Sequence, residues 1–312
     1  MQRPFFADGA GDPDLLAWAL DPPEGPLREV ELTDLREGAA PHPSTASFTS
    51  PVADRLPPES RTARVELLLP EGEPAEVPVV LHLAATGDHD FARRRRLLAQ
   101  PLLAEGIGAV LLENPLYGRR RPARQHGASV RSVAELAAMA RATVEEARSL
   151  LAWLRRRGHR QVGVSGISMG GQMAAMAAAS VPFEVAAVPC IASRWPASVF
   201  TQGELARLVD WGALQRDWGV DAPRRLRAEL ERGDVLRLPP PRCPGAAVLV
   251  AARDDAYVPA ADPQAIHEHW PGSELRWIET GHVGAVVLAS AQLVEAVRDA
   301  VARLNGCRAS AS

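Results

Sequence analysis

The stretch "GVSGISMGGQM", residues 163–173, decides how this chain folds. Gly166-Ile-Ser168-Met-Gly170 is a G-x-S-x-G pattern, with the apolar run "QVGVSGIS" (161–168) before it and the small-residue run "GQMAAMAAAS" (171–180) after it. An apolar run that breaks at glycine and passes at once into an alanine-rich segment reads as strand, tight turn and helix. Such a turn forces the serine into a strained conformation that only glycine neighbours accommodate. It also pushes the serine Oγ clear of the backbone, beside a helix N-terminus that favours developing negative charge.

The same alternation extends on both sides. The runs "RVELLLP" (64–70), "VPVVLHLA" (77–84), "IGAVLLENP" (107–115), "FEVAAVPCIA" (183–192), "GAAVLVAARDD" (245–255) and "ELRWIETGH" (274–282) are short, apolar and bounded by Gly or Pro. Several are continuous rather than alternating, as expected of strands buried on both faces of a parallel sheet. Helical patterns separate them: "FARRRRLLAQPLLAEG", the long "SVRSVAELAAMARATVEEARSLLAWLRRRG" that stops at Gly158, and the closing "VGAVVLASAQLVEAVRDAVARL". This predicts an α/β fold with a mostly parallel, doubly wound sheet. Residues 194 to about 241 break the rhythm. They are helical and polar, end in "LPPPRCP", and are expected to form a helical cap inserted above the sheet. Residues 1–60, rich in Pro, Asp and Ser with one short helical pattern at Leu15–Leu20, are expected to be an irregular extension packed on a domain spanning 61–312.

The 312 residues suffice for a full core, and 46% hydrophobic with 23% charged residues is ordinary for a soluble globular protein. A net charge of −3 gives no reason to expect nucleic acid as a partner. The chain has no lysine, so every basic side chain other than histidine is arginine. Cys190, Cys243 and Cys307 have no metal-ligand spacing and predict no disulfide framework, which fits a reducing, cytoplasmic location. The N-terminus lacks a basic region followed by an apolar stretch, and no apolar run reaches membrane-spanning length. Peripheral membrane contact stays open.

A serine needs a base, and the base needs an orienting group. Downstream of Ser168, one strand pattern ends in Asp254 and Asp255 and the next ends in His282. All lie at carboxyl ends of strands, where open α/β sheets place their sites. Asp255 is the candidate acid because Asp255-Ala-Tyr-Val-Pro259 matches a D-x-x-V-P pattern, and Asp254 is left to brace the turn. The oxyanion hole is expected to use the N–H of Met169 and one N–H from the loop after "VVLHL", at Ala84 or Ala85. His82 reads as structural. Asp88, His89 and Asp90, like His267 and His269, lack a complementary ligand set, so neither a metal nor a cofactor is expected. The clusters Arg93 to Arg96 and Arg119 to Arg121 follow strand ends, and Arg93, Arg119 and Tyr117 are candidate substrate-binding residues. Four consecutive helical arginines spread around the helix and ordinarily just solvate a surface; where they meet substrate instead, arginine pairs well with phosphate, and the expected ester is one with an anionic head group.

At this point the chain resembles the α/β-hydrolase superfamily. The segments "HLAATGDHDFARRR", "LLENPLYG", "SGISMGG", "DAYVP" and "WPGSELRWIETGH" together resemble the α/β-hydrolase domain-containing protein 18 family, from about residue 60 to the C-terminus. The likeness is weakest across 194–241, which is shorter than in vertebrate members. The resemblance implies a serine hydrolase with Ser168, Asp255 and His282, acting on a carboxylic ester with an acyl lipid as the expected substrate. Vertebrate members are mitochondrial and linked to lipid deacylation, but no mitochondrial address is read in this sequence. A peptidase or acyltransferase with the same residues, and a non-catalytic scaffold retaining the fold, are the alternative readings.

Overall fold

The computed structural model describes residues 3–23, 25–36 and 43–309. Its centre is a nine-stranded sheet of order β1-β2-β3-β5-β4-β6-β7-β8-β9. The strands are β1 (Thr33–Arg36), β2 (Ser44–Thr49), β3 (Thr62–Leu68), β4 (Val79–Leu83), β5 (Gly108–Leu112), β6 (Val162–Ile167), β7 (Ala186–Cys190), β8 (Val248–Ala252) and β9 (Glu274–Ile278). From β5 onward every neighbouring pair is parallel, whereas β1, β2 and β3 add an antiparallel edge. Every residue of β4, β5, β6, β7 and β8 is buried, which is why those runs are continuously apolar.

Helices cover both faces. Helix α1 (Pro13–Leu20) belongs to the N-terminal segment; α2 (Ala92–Arg94) and α3 (Gln100–Ala104) lead into β5. The long α4 (Val133–Arg156) and α5 (Met169–Ser180) lie on one face. After the cap, α9 (Ala261–His269) joins that face, and α10 (His282–Leu288) and α11 (Ser290–Ala309) close the other. Helix α4 starts within the predicted helical pattern, four residues after its first serine, because the Ser132 side chain accepts the Glu135 N–H at 3.1 Å. It stops at Gly158, whose φ of +99° is the left-handed conformation that ends a helix. Two apolar cores result, one between the sheet and α4, α5 and α9, the other between the sheet and α11.

The cap falls where the alternation breaks, between β7 and β8, as α6 (Pro196–Thr201), α7 (Trp211–Trp218) and α8 (Ala222–Glu231). A third apolar cluster joins it to α1 and to the first turns of α4, through Phe5, Phe6, Leu20, Val133, Phe200 and Leu226 among others. The Phe5 N–H donates to Leu208 O and Phe5 O accepts the Asp210 N–H, so the N-terminal strap is stitched to the cap by backbone.

Two expectations need correction. The first 60 residues are not wholly irregular: besides α1 they supply β2 and β1, which extend the sheet through β3. Both strands are short and β1 is exposed throughout, so neither carries the apolar run that marks a buried strand. Cys243 and Cys307 form a disulfide, with Cα atoms 6.3 Å apart across a separation of 64 residues. That pairing arises because α11 folds back against the turn entering β8, a proximity that cysteine spacing does not encode.

Candidate active site

Ser168 sits between the end of β6 and the start of α5 with φ 56° and ψ −120°. This backbone conformation costs roughly 1–3 kcal/mol for a non-glycine residue. The surrounding glycines impose it. A Cβ on Gly166 would lie 2.2 Å from Gly170 O, and one on Gly170 would lie 2.6 Å from Leu83 O. Helix α5 can therefore press its first turn against the ends of β4 and β6 only with glycine at both places.

The structure brings the three predicted residues together. His282 Nε2 lies 3.0 Å from Ser168 Oγ, and His282 Nδ1 lies 2.7 Å from Asp255 Oδ2. The other Asp255 oxygen accepts the N–H groups of Tyr257 (2.8 Å) and Val258 (2.9 Å). Those two bonds orient the carboxylate, and the Oδ2 contact makes Asp255 the aspartate that faces the ring. Asp254 is exposed and its N–H donates to Thr280 O. His282 opens α10 rather than ending β9, and a Cβ on the preceding Gly281 would meet Asp254 O at 3.0 Å. Tyr257 packs its ring 4.9 Å from the imidazole, a contact that sequence reasoning missed.

Among the described residues, neither the Met169 N–H nor the Ala85 N–H donates to another protein group. Ala85 lines the cavity beside Ser168, whereas Ala84 does not, and Ala84 O accepts from the Asn114 side chain at 3.2 Å. Of the two alanines named from sequence, Ala85 is the one at the site. The Thr86 hydroxyl also reaches Met169 Sδ at 3.6 Å, linking this loop to the serine turn.

A cavity of about 340 Å³ opens onto Ser168 and His282. Its walls are mainly apolar: Met169, Met173 and Met176 of α5, Leu136 and Ala140 of α4, and Phe200 and Leu230 of the cap. Met residues at this spacing on a glycine- and alanine-rich helix were the available signal for such a wall. Tyr117 lines the cavity with its hydroxyl donating to Ala128 O at 3.1 Å, and burial pushes its phenol pKa up.

The arginine clusters divide. Arg93 lines the cavity, 3.5 Å from Asp88. Arg119 is exposed and is not among the residues that line the cavity. Its neighbour Arg120 is fully buried, clamped to Glu146 and to the Ser60 and Glu113 carbonyls. Arg94 is likewise buried, donating to Asp88 Oδ2 (2.7 Å) and to the His82 and Leu112 carbonyls (both 2.8 Å). It ties the ends of β4 and β5 to the loop that carries Ala85.

His82 is buried against Ser165, its Nδ1 2.7 Å from the hydroxyl. Burial, reinforced by Arg94, pushes its pKa down to about 3. His267 and His269 bond to Ser273 and to Leu238 O. Among the described residues, no three His, Cys, Asp or Glu side chains are grouped to hold a metal ion, and no helix is long and apolar enough to cross a membrane.

A doubly wound, mostly parallel sheet with a strained serine after one strand and its polar partners after two others defines the α/β-hydrolase class of fold. Solved structures agree on that fold. An acetyl xylan esterase from Paenibacillus sp. R4 is 16% identical, with 94% of this chain and 97% of that chain covered and a TM-score of 0.58. Acetyl xylan esterase 1 from Thermoanaerobacterium sp. JW/SL YS485 is 15% identical, over 94% and 96%, with a TM-score of 0.56. The α/β hydrolase GrgF from Penicillium sp. sh18 is 16% identical, over 84% and 99%, with a TM-score of 0.58. The chain belongs to the family described as alpha/beta hydrolase domain containing 18, whose model matches residues 27–224 and 221–303.

Proposed function

We propose that this protein is a serine hydrolase of carboxylic esters with an apolar acyl arm, acting through Ser168, His282 and Asp255. The observation that carries this reading is the hydrogen-bonded chain from Asp255 through His282 to Ser168, ending on a strained turn at the mouth of an apolar cavity. Two of the similar solved structures are acetyl xylan esterases, which is consistent with ester chemistry.

His282 Nε2 takes the proton of Ser168 as Oγ attacks the ester carbonyl. The Met169 and Ala85 N–H groups receive the developing oxyanion. His282 then returns the proton to the leaving alcohol, and water repeats the sequence on the acyl-enzyme. Asp255 keeps the proton on Nδ1, so that Nε2 is free to act as base. An acyl lipid suits the methionine-lined wall. Arg93, which lines the cavity, lies 3.5 Å from Asp88, and Asp88 is already paired to Arg94 at 2.7 Å, so the Arg93 guanidinium is only loosely engaged. A loosely engaged guanidinium on the cavity wall favours an anionic head group.

The test is labelling with a fluorophosphonate probe, wild type beside Ser168→Ala, followed by an ester and phospholipid panel that includes Arg93→Ala. Labelling that vanishes in the alanine variant supports an activated serine. Absence of labelling in both refutes it and returns the chain to the scaffold reading. An equal loss on anionic and neutral esters in Arg93→Ala refutes the head-group assignment.

A further inference from the structure

The cavity has a second charged residue, far from the serine. Helix α4 leads into the start of β6 and α5 leads out of its end, so the two helices run side by side away from Ser168. The cavity follows them: Met169, Gln172, Met173 and Met176 on α5, and Leu136, Ala137, Ala140 and Arg141 on α4. From Met169 to Met176 is seven residues, about 10 Å along the axis. Arg141 therefore marks the distal end of an apolar channel whose other end is the nucleophile.

Arg141 is built into that position. Its side chain is nine-tenths buried. Nε donates to Glu145 at 2.9 Å, Nη1 donates to the Asp21 carbonyl, and the guanidinium lies 5.5 Å from the centre of the Trp18 ring. Nη2 has no protein partner among the described residues. The charge balance leaves the guanidinium in excess, because the single carboxylate of Glu145 also serves Arg148 at 2.7 Å. An alkyl chain ending here would cover a charged donor and leave it unpaired, which is costly. A chain ending in a carboxylate would supply the missing partner, and one negative charge matches the excess.

We infer that Arg141 is a distal specificity residue and that the preferred substrate is an ester whose acyl arm ends in a carboxylate, a monoester of a medium-length dicarboxylic acid. This rests on the hydrolase reading above. The experiment compares the mono-p-nitrophenyl ester of decanedioic acid with p-nitrophenyl decanoate, on wild type, Arg141→Met and Arg141→Lys. The wild type is expected to prefer the acid-ended ester in kcat/KM by roughly tenfold to a hundredfold, from a charged hydrogen bond gained or left unmade. Arg141→Met abolishes the preference while retaining turnover of the decanoate, and Arg141→Lys keeps part of it. As a readout independent of turnover, the melting temperature of Ser168→Ala rises more with the acid-ended ester than with the neutral one. Equal kcat/KM for the two esters in the wild type, or a preference that survives in Arg141→Met, overturns the role of Arg141 and leaves the hydrolase reading standing. Hydrolysis of neither ester, with no fluorophosphonate labelling of Ser168, overturns both.

Discussion

Replacing Asp255 by Asn tests the proposed chemistry because the structure dictates how the amide must sit. Asp255 Oδ1 accepts two backbone N–H groups, from Tyr257 and Val258, and Oδ2 faces His282 Nδ1. In Asp255→Asn the side-chain carbonyl keeps the two backbone donors, since an NH₂ group there would face them donor to donor. The NH₂ is then turned towards His282, which must present Nδ1 as an acceptor and carry its proton on Nε2. That tautomer donates to Ser168 and cannot take its proton. The expected loss is about 10⁴-fold in kcat, or about 5.4 kcal/mol, with little change in KM. The assay is steady-state hydrolysis of a p-nitrophenyl ester the wild type accepts, beside a thermal melt. The melt is expected to move little, because size and backbone bonds are conserved. A kcat within tenfold of wild type in a folded Asp255→Asn protein would refute this assignment of the base and its orienting group.

Two further outcomes concern the framework. His82 is held neutral by burial, its pKa lowered from 6.5 to about 3, so the unfolded chain binds a proton that the folded one refuses. Its contribution is present above pH 6.5 and is lost as pH falls towards 3, at about 1.4 kcal/mol per unit. Urea titrations from pH 7 to pH 4.5 should show a decline about 2.7 kcal/mol steeper in wild type than in His82→Gln; matching slopes would contradict it. Arg120→Ala leaves Glu146 charged and fully buried without its partner. It should cost about 3–5 kcal/mol, read by denaturant unfolding at pH 7, and a loss below about 1 kcal/mol would mean the pair does not hold the loop after β5.

Much of the site was legible because its demands are local. The serine turn needs glycine within a few residues, and Gly166 and Gly170 announce it. The parallel strands were legible because burial on both faces leaves long apolar runs. Beside these, β1 and β2 carried no such signal, being a short antiparallel edge with exposed residues. The arginine clusters could not be told apart residue by residue. Adjacent arginines read alike in sequence, yet Arg93 lines the cavity, Arg94 is buried under it and Arg119 is exposed.

The order Ser168, Asp255, His282 and the strands they follow are read from the sequence alone, because backbone sterics and hydrophobic periodicity act over a few residues. Only the tertiary structure decided that Cys243 meets Cys307, that Ala85 rather than Ala84 faces the serine, and that Phe5, Arg141 and Phe200 share one cavity. Those outcomes depend on which surfaces the packed helices bring together across many residues of chain, and burial and charge pairing are properties of that packing.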